Sequence, residues 1–134
     1  MNDEAAVVAH YFEAWNRNEP GAVIELFAHG GTYTDPSVPE GVSGPALQAV
    51  VSGFMAAFSD LTFELLEVID SGEGLLAAQW LMLGTHTGQL GPHAPQGGNV
   101  SLPGVDIFRV YEGKLQSVEG YYDRATLYQQ LGLG

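Results

Sequence analysis

The chain has no cysteine and few positive charges, and both absences exclude whole classes of function. Without cysteine there is no disulfide bond, no thiolate nucleophile and no sulfur-ligated metal. Lysine and arginine together number 4 against 16 aspartates and glutamates, which gives a formal net charge of −12. Nucleic-acid binding needs a basic surface that displaces counterions, and four cations are too few to form one. Anionic membranes and polyphosphate substrates are disfavoured for the same reason.

Long apolar runs are also missing. No hydrophobic stretch approaches the ~20 residues that are needed to cross a bilayer. The start of the chain, Met1–Glu4, is acidic and unlike a signal peptide, so we expect a cytoplasmic protein. Hydrophobic residues nevertheless make up 46% of the 134 residues, which predicts a single folded domain over residues 1–134. The expected partner is a neutral, hydrophobic small molecule, with no nucleic acid and no membrane.

Helical periodicity dominates the first part of the chain. Apolar spacing predicts helices over residues 3–18 and 20–27, and a third helix that carries the apolar stripe from Leu47 to Phe58. Gly30-Gly31 is expected to end the second helix before a strand at 32–35.

Strand-like alternation dominates the second part of the chain. Strands are predicted over 61–69, 75–87, 100–111 and 115–123, and a short helix over 124–131. Residues 88–99 are rich in glycine and proline and are expected to form a loop over a pocket. Four successive strands without a helix between them favour an α+β fold, in which a curved antiparallel sheet packs on three helices.

Three polar residues lie in otherwise apolar stretches, where burial is costly without a partner or a role. Tyr11 shares a helical face with Val8 and Trp15, and Asp35 ends the run GGTYTDP of residues 30–36. Asp106 lies within a predicted strand. Alternation places its carboxyl group toward the interior, where it stays protonated if no cation is near. The alternative for Asp106 is a bulge position at which it pairs with the backbone or with an outer arginine.

Residues 7–36 resemble the opening of the ketosteroid isomerases, from VVAHYFEAWN at the start to LFAHGGTYTDP at the end. Residues 105–109, VDIFR, resemble a later segment of the same enzymes. The resemblance implies the cone-shaped fold of the nuclear transport factor 2-like superfamily, which encloses one pocket. It also implies that Asp35 is a general base, that Tyr11 donates to the enolate oxygen, and that Asp106 is a protonated carboxyl group that does the same.

The second half of the chain is similar to the SnoaL-like polyketide cyclases and to the ester-cyclase-type proteins near them. Residues 84–88 read GTHTG, 121–124 read YYDR and 129–132 read QQLG. The resemblance implies that Asp123 is an acid/base and that His86 lies nearby in the pocket. The run RATL at 124–127 differs from the Gly-Leu-Leu type of run that usually follows in these cyclases.

Together these residues predict a cofactor-free enzyme that removes a proton next to a carbonyl group. Asp35 or Asp123 is the base, and either double-bond isomerisation or aldol cyclisation follows. Simpler interpretations stay open: a turn-forming Asp35, a core tyrosine at Tyr11, an N-cap at Asp123 and a core histidine at His86. The pocket wall is predicted to include Trp15, Tyr33, Phe54, Phe58, Trp80, Met82, Phe108 and Tyr121.

The competing hypothesis is a non-catalytic module that binds an apolar ligand or dimerises. An epoxide hydrolase built on Asp106, Arg109 and Asp123 is less favoured, because Arg109 points away from Asp106 by alternation. No metal site is expected, since His86 and His93 flank a Gly/Pro-rich loop without a ligand spacing on one rigid element. The superfamily resemblance implies a homodimer formed through the sheet.

Overall fold

The computed structural model describes residues 3–133, which form four helices and five strands. The helices are α1 (Asp3–Asn16), α2 (Pro20–Ile24), α3 (Gly44–Ala57) and α4 (Arg124–Leu131). The strands are β1 (Phe27–Thr34), β2 (Thr62–Asp70), β3 (Leu75–Thr85), β4 (Asn99–Tyr111) and β5 (Lys114–Tyr122). The predicted α+β class is confirmed, and the bounds of the helices and strands other than α2 and β1 are close to those expected from the sequence.

All five strands belong to one open sheet in the order β1-β5-β4-β3-β2. Strands β2 to β5 pair antiparallel, as predicted, whereas β1 pairs with β5 in parallel. The sheet is therefore mixed, and the prediction of antiparallel pairing was wrong for this one pair. Alternation within a strand does not reveal its neighbour, and helix α3 separates β1 from the next strand, so no hairpin turn fixed its direction.

Strand β1 begins at Phe27 and contains Gly30-Gly31, which had been expected to end a helix. Gly30 has φ of +77°, and a Cβ on Gly31 would lie 2.7 Å from the carbonyl oxygen of Leu115 in β5. The pairing register with β5 shifts in this segment. The two glycines thus form an irregularity within the strand that brings its backbone close to β5, and α2 ends earlier, at Ile24.

The core lies between the inner face of the sheet and the helices. Helices α1 and α3 supply one wall, and alternate residues of β3, β4 and β5 supply the other. Burying each large apolar side chain stabilises the fold by about 1.5–3 kcal/mol. The most deeply buried large apolar side chains are Val8, Val23, Leu47, Val51, Phe58, Leu76, Leu102, Phe108, Leu115, Val118 and Leu131.

The loop between β3 and β4 is fastened to the end of α3. The backbone N–H groups of Thr87 and Gly88 both donate to the carbonyl oxygen of Ala57, at 2.9 and 3.0 Å. A Cβ on Gly88 would lie 2.0 Å from the carbonyl oxygen of Ala56, so only glycine fits there. These bonds hold residues 89–93 beside α3. Among residues 3–133, no helix has both the length and the hydrophobicity of a membrane span.

Candidate active site

A small inner cavity lies between α1 and the sheet and collects most of the polar residues singled out from the sequence. Its volume is about 30 Å³, which is room for about one water molecule. Tyr11, Asp35 and Asp106, predicted from distant parts of the chain, all reach it. The lining residues are Tyr11, Phe12, Trp15, Tyr33, Asp35, Phe54, Phe63, Trp80, Met82, Asp106, Gly120 and Tyr122.

Asp35 follows directly after β1 and is only 4% exposed. Its Oδ1 accepts hydrogen bonds from the backbone N–H and the hydroxyl of Ser37, at 2.6 and 2.5 Å, and from the Val38 N–H at 3.2 Å. Its Oδ2 accepts one bond, from the hydroxyl of Tyr33 at 2.7 Å. The turn-forming and the pocket-facing interpretations of Asp35 therefore both describe it, one through each oxygen atom.

Asp106 projects inward from β4, on the same face as Phe108 and Val110, and is 6% exposed. Burial raises the pKa of its carboxyl group to about 7, and the negative charge of Asp35 adds to this rise. The indole N–H of Trp80 opposes the rise, although no group of the described residues lies in hydrogen-bonding geometry to Trp80 Nε1. Asp106 therefore keeps its proton to a much higher pH than an exposed aspartate does.

Gly120 separates the two carboxyl groups. A Cβ at this position would lie 2.9 Å from Asp106 Oδ1 and 3.4 Å from the Cβ of Asp35. Gly120 is paired with Asp106 across β4 and β5, so the absence of a side chain leaves the space that both carboxyl groups border. Any larger residue would push Asp106 out of this position.

Two tyrosine hydroxyls complete the polar lining. Burial raises the pKa of Tyr11 well above its usual value, and the negative charges of Asp106 and Asp35 add to the rise. The pKa of Tyr33 is raised in the same way, first by burial. Both hydroxyls therefore stay protonated and can donate hydrogen bonds. The ring of Tyr11 is fixed by edge contacts with Phe12 and Phe108, with centroids 5.3 and 5.2 Å apart.

Tyr122 also lines the cavity, whereas its neighbour Tyr121 had been predicted to do so. The predicted pocket residue Tyr121 is 57% exposed on the outer face of the sheet. Strand pairing explains the difference, because Gly120 and Tyr122 are aligned with Asp106 and Gly104 on the inner face. Counting alternation from the β4–β5 turn would align Asp106 with Glu119 and place Tyr121 inward. The register shift between Arg109 and Val110 moves the alignment by one residue and turns Tyr122 inward instead. Burial, and then the charge of Asp35, raise the pKa of its hydroxyl.

Five of the eight predicted wall residues line the inner cavity, and Phe58, Phe108 and Tyr121 do not. Trp15, Tyr33, Phe54, Trp80 and Met82 border it. Phe58 and Phe108 are completely buried in the core behind it.

His86 and Asp123, which the cyclase resemblance had suggested, lie outside the lining of this cavity. His86 is fully buried against Phe58, with ring centroids 5.7 Å apart, and its Nδ1 accepts a 3.4 Å bond from the Gln96 N–H. Asp123 is exposed and accepts hydrogen bonds from the Ala125 N–H and the Thr126 hydroxyl, at 3.2 and 2.6 Å. Asp123 is thus the N-cap of α4, the alternative left open from the sequence.

An outer pocket of about 370 Å³ adjoins the inner cavity. Phe54 and Tyr122 line both spaces. Arg124 lines the outer pocket and brings a positive charge to it. Ser37 also lines this pocket, and its hydroxyl donates a hydrogen bond to Asp35. The remaining lining is mainly apolar and comes from α3, α4 and the loop: Ala49, Val50, Gly53, Gln89, Leu90, Gly91, Pro92, His93, Leu127 and Tyr128.

Two other arrangements considered from the sequence are not assembled. Arg109 is exposed on the outer face, 4.0 Å from Glu119, so Asp106, Arg109 and Asp123 do not meet. In the described part of the chain, no three His, Asp or Glu side chains form a group that could hold a metal ion.

The sequence matches the family model of SnoaL-like polyketide cyclases over residues 5–131. No curated protein matches the chain.

Solved structures share the fold over almost the whole chain. A candidate SnoaL-like polyketide cyclase from Jannaschia sp. CCS1 is 17% identical, with a TM-score of 0.87 over 98% of this chain and 93% of that one. The candidate hydroxylase AclR from Streptomyces galilaeus is 23% identical, with a TM-score of 0.84 over 96% and 80%. A protein from Catenulispora acidiphila with a ketosteroid isomerase-like fold, in complex with trimethylamine, is 20% identical, with a TM-score of 0.79 over 96% and 93%. The protein has this ketosteroid isomerase-like fold, and it belongs to the family of SnoaL-like polyketide cyclases.

Proposed function

We propose that the protein is a cofactor-free cytoplasmic enzyme that removes a proton next to a carbonyl group of a hydrophobic molecule, leading to ring closure or double-bond migration. One observation carries the proposal: Asp35 and Asp106 border a single buried cavity on either side of Gly120. Two carboxyl groups in unlike surroundings can take the separate roles of base and hydrogen-bond donor.

Asp35 fits the role of base through its Oδ2 atom. Oδ1 is occupied by three hydrogen bonds from Ser37 and Val38, which fix the carboxylate plane. Oδ2 accepts only the bond from Tyr33 among the described residues and keeps lone pairs for a substrate proton. A base held in one orientation by its own turn loses little freedom when the substrate binds.

Asp106 and Tyr11 fit the role of donors to the developing oxyanion. A protonated Asp106 donates a hydrogen bond, and its pKa of about 7 keeps that form populated at neutral pH. The Tyr11 hydroxyl is buried among aromatic rings, where a hydrogen bond to a developing negative charge is stronger than in water. Trp80 Nε1 adds a third buried donor on the same cavity wall.

The proposed reaction begins with proton transfer from the substrate to Asp35. The α-carbon loses its proton to Asp35 Oδ2, and the electron pair of the broken C–H bond forms an enolate whose oxygen is bound by the donors. In a cyclase, the enolate carbon attacks a second carbonyl carbon of the same molecule, and the oxygen of that carbonyl takes up the proton that Asp35 had removed. In an isomerase, Asp35 returns its proton to another carbon of the conjugated system.

Proton exchange into D₂O tests this first step directly, with NMR detection of bicyclic and steroidal ketones. We expect wild type to catalyse exchange and Asp35→Asn to lose it by at least about 100-fold, which is within the range for removal of a general base. Asp106→Asn should slow exchange, and the wild-type rate should fall as the pH rises through about 7, because Asp106 then loses its donor proton.

Asp123→Asn is the matched control, because it makes the same chemical change at a residue outside the cavity and asparagine is also a good N-cap. This variant should exchange like wild type. Loss of exchange in Asp123→Asn with retention in Asp35→Asn would assign the base to Asp123. Ligand-induced shifts in the protein spectrum without any exchange would favour the competing hypothesis of a non-catalytic binding module.

A further inference from the structure

We infer that the substrate carries an anionic group, a carboxylate or an ionised phenol, at the end opposite its reacting carbonyl, and that Arg124 binds this group at the mouth of the outer pocket. The inference rests on the proposed function, because it uses the inner cavity as the place of the reacting carbonyl. It refines the expectation of a neutral ligand by adding one charge at one end.

The surroundings of the four cations single out Arg124. Arg17 pairs with Glu19 at 2.7 Å, Arg109 lies 4.0 Å from Glu119, and Lys114 donates to the carbonyl oxygen of Glu25 at 2.8 Å. Arg124, like Lys114, forms no ion pair with any carboxylate of the described residues, but unlike the other three cations it lines the outer pocket. In a chain with net charge −12, a cation without an acidic partner that faces a pocket is unusual and needs an explanation.

The guanidinium group of Arg124 is held in place with part of its donor capacity left over. Its Nε and Nη2 both donate to the hydroxyl of Tyr128, at 3.1 and 2.7 Å, and the group lies 5.0 Å from the ring centroid. Tyr128 in turn packs against His93 of the loop, with ring centroids 5.7 Å apart. Two of the five N–H donors are used in this way, so three remain for a ligand. A carboxylate is the group that such a planar fork binds best.

The lining of the outer pocket and the inner cavity determines which end of a ligand faces inward. Arg124 and Tyr128 stand at the outer pocket, Val50, Leu90 and Leu127 supply apolar wall, and Phe54 and Tyr122 adjoin the inner cavity. The ligand that matches is an apolar body with an anionic head outside and a carbonyl group inside. The reverse orientation is disfavoured, because it would bring the anion against Asp35.

A pair of ligands that differ only in charge tests the inference. The acid 4-(2-naphthyl)-4-oxobutanoate has a ketone at one end and a carboxylate at the other, and its primary amide is a neutral molecule of the same shape. Dissociation constants of both would be measured by NMR titration with wild type, Arg124→Gln and Arg109→Gln. The last variant is the control, since it removes the same charge from the outer face of the sheet.

We expect wild type to bind the acid roughly 10-fold more tightly than the amide, which corresponds to about 1.4 kcal/mol. Arg124→Gln should abolish this preference and leave amide binding within about 2-fold of wild type, and Arg109→Gln should keep the preference. Equal binding of acid and amide by wild type, no binding of the acid, or a preference that survives in Arg124→Gln would each overturn the inference. Exchange at the ketone α-carbon, followed in the same samples, reports separately on the proposed function.

Discussion

At the scale of single residues, the site depends on a carboxyl group that the fold keeps partly protonated. Asp106 is buried beside a second carboxylate, and no lysine or arginine lines its cavity. Burying a negative charge in such surroundings costs free energy, so the fold favours the protonated form of Asp106. Asp106 therefore lowers the stability of the folded protein as the pH rises, and in its protonated form it supplies a buried hydrogen-bond donor.

This linkage predicts how stability depends on pH. The unfolded chain releases the Asp106 proton near pH 3.8, and the folded protein releases it near 7. Between these values the folded state binds more protons, so a rise in pH removes about 1.36 kcal/mol of stability per unit, up to about 4 kcal/mol, and removes no more above 7. Asp106→Asn does not titrate. Urea unfolding from pH 4 to 8 should therefore show the stability difference moving in favour of Asp106→Asn by this amount.

A second variant separates the causes of the raised pKa. The charge of Asp35 adds to the effect of burial, so in an Asp35→Asn background the change between pH 4 and 7 should be smaller but should not vanish. A stability difference that is flat with pH in both backgrounds would contradict the assignment of the buried protonated group to Asp106.

The sequence predicted that Tyr11, Asp35 and Asp106 meet, but it also suggested Asp123 and His86, which lie outside the cavity. Tyr11, Asp35 and Asp106 were found because a polar group in an apolar stretch is costly, and all three do border one cavity. Tyr122 was missed, because its inward direction depends on register across the β4–β5 turn. The role of Arg124 depends on the position of Tyr128 and on a pocket formed by three separate segments, which no local pattern contains.

At the scale of elements, α4 shows how one residue can have a purely structural explanation. Asp123 bonds to the Ala125 N–H and the Thr126 hydroxyl at the start of the helix, and Gly132 ends the helix in the left-handed conformation. Helix α4 also carries Arg124, Leu127 and Tyr128 into the outer pocket. The cap at Asp123 therefore supports the pocket wall without contacting the inner cavity.

The capping role predicts a difference between two substitutions at Asp123. Asp123→Ala removes both side-chain hydrogen bonds and should destabilise the protein by about 1 kcal/mol, whereas Asp123→Asn should cost a few tenths at most. Denaturant unfolding measures both values. Proton exchange per folded molecule should stay within about 2-fold of wild type in both variants. If Asp123→Ala leaves stability unchanged and lowers exchange strongly, the residue acts in catalysis and not as a cap.

The elements also show where prediction from sequence reached its limit. The four strands of the second half were predicted because each is bounded by turn residues and joined to the next. The parallel pairing of β1 was not, because its partner β5 lies about 80 residues later in the chain and no local pattern encodes that contact. Since Asp35 follows β1 directly, this long-range pairing is what brings it to Gly120.

At the scale of the whole molecule, the outer face of the sheet exposes large apolar side chains, among them Ile69 and Leu75. Ala77 pairs with Ile107 across β3 and β4, and Val105 pairs with Tyr121 across β4 and β5; these four side chains are called the apolar strip. Gln79 and Glu119 lie beside it, as the partners of Val105 and Ile107 on their other sides. Tyr121 at its edge is 57% exposed. We keep the homodimer implied by the superfamily resemblance as a proposal for this strip, which faces away from both pockets.

The proposal predicts an association that depends on salt and on one central side chain. Two chains with a net charge of −12 repel each other, so raising the salt from about 0.05 to 0.5 M should tighten the dimer by screening that repulsion. Ile107→Glu would bury a charge in the strip and should weaken association by roughly 100-fold or more. Gln48→Glu adds the same charge on the exposed side of α3 and should leave the dimer intact. Sedimentation velocity measures all three. A wild-type chain that sediments as a monomer at high salt would rule out a dimer through this face. Salt screens the charge repulsion, so burial of the apolar strip would then be too weak to hold two chains together.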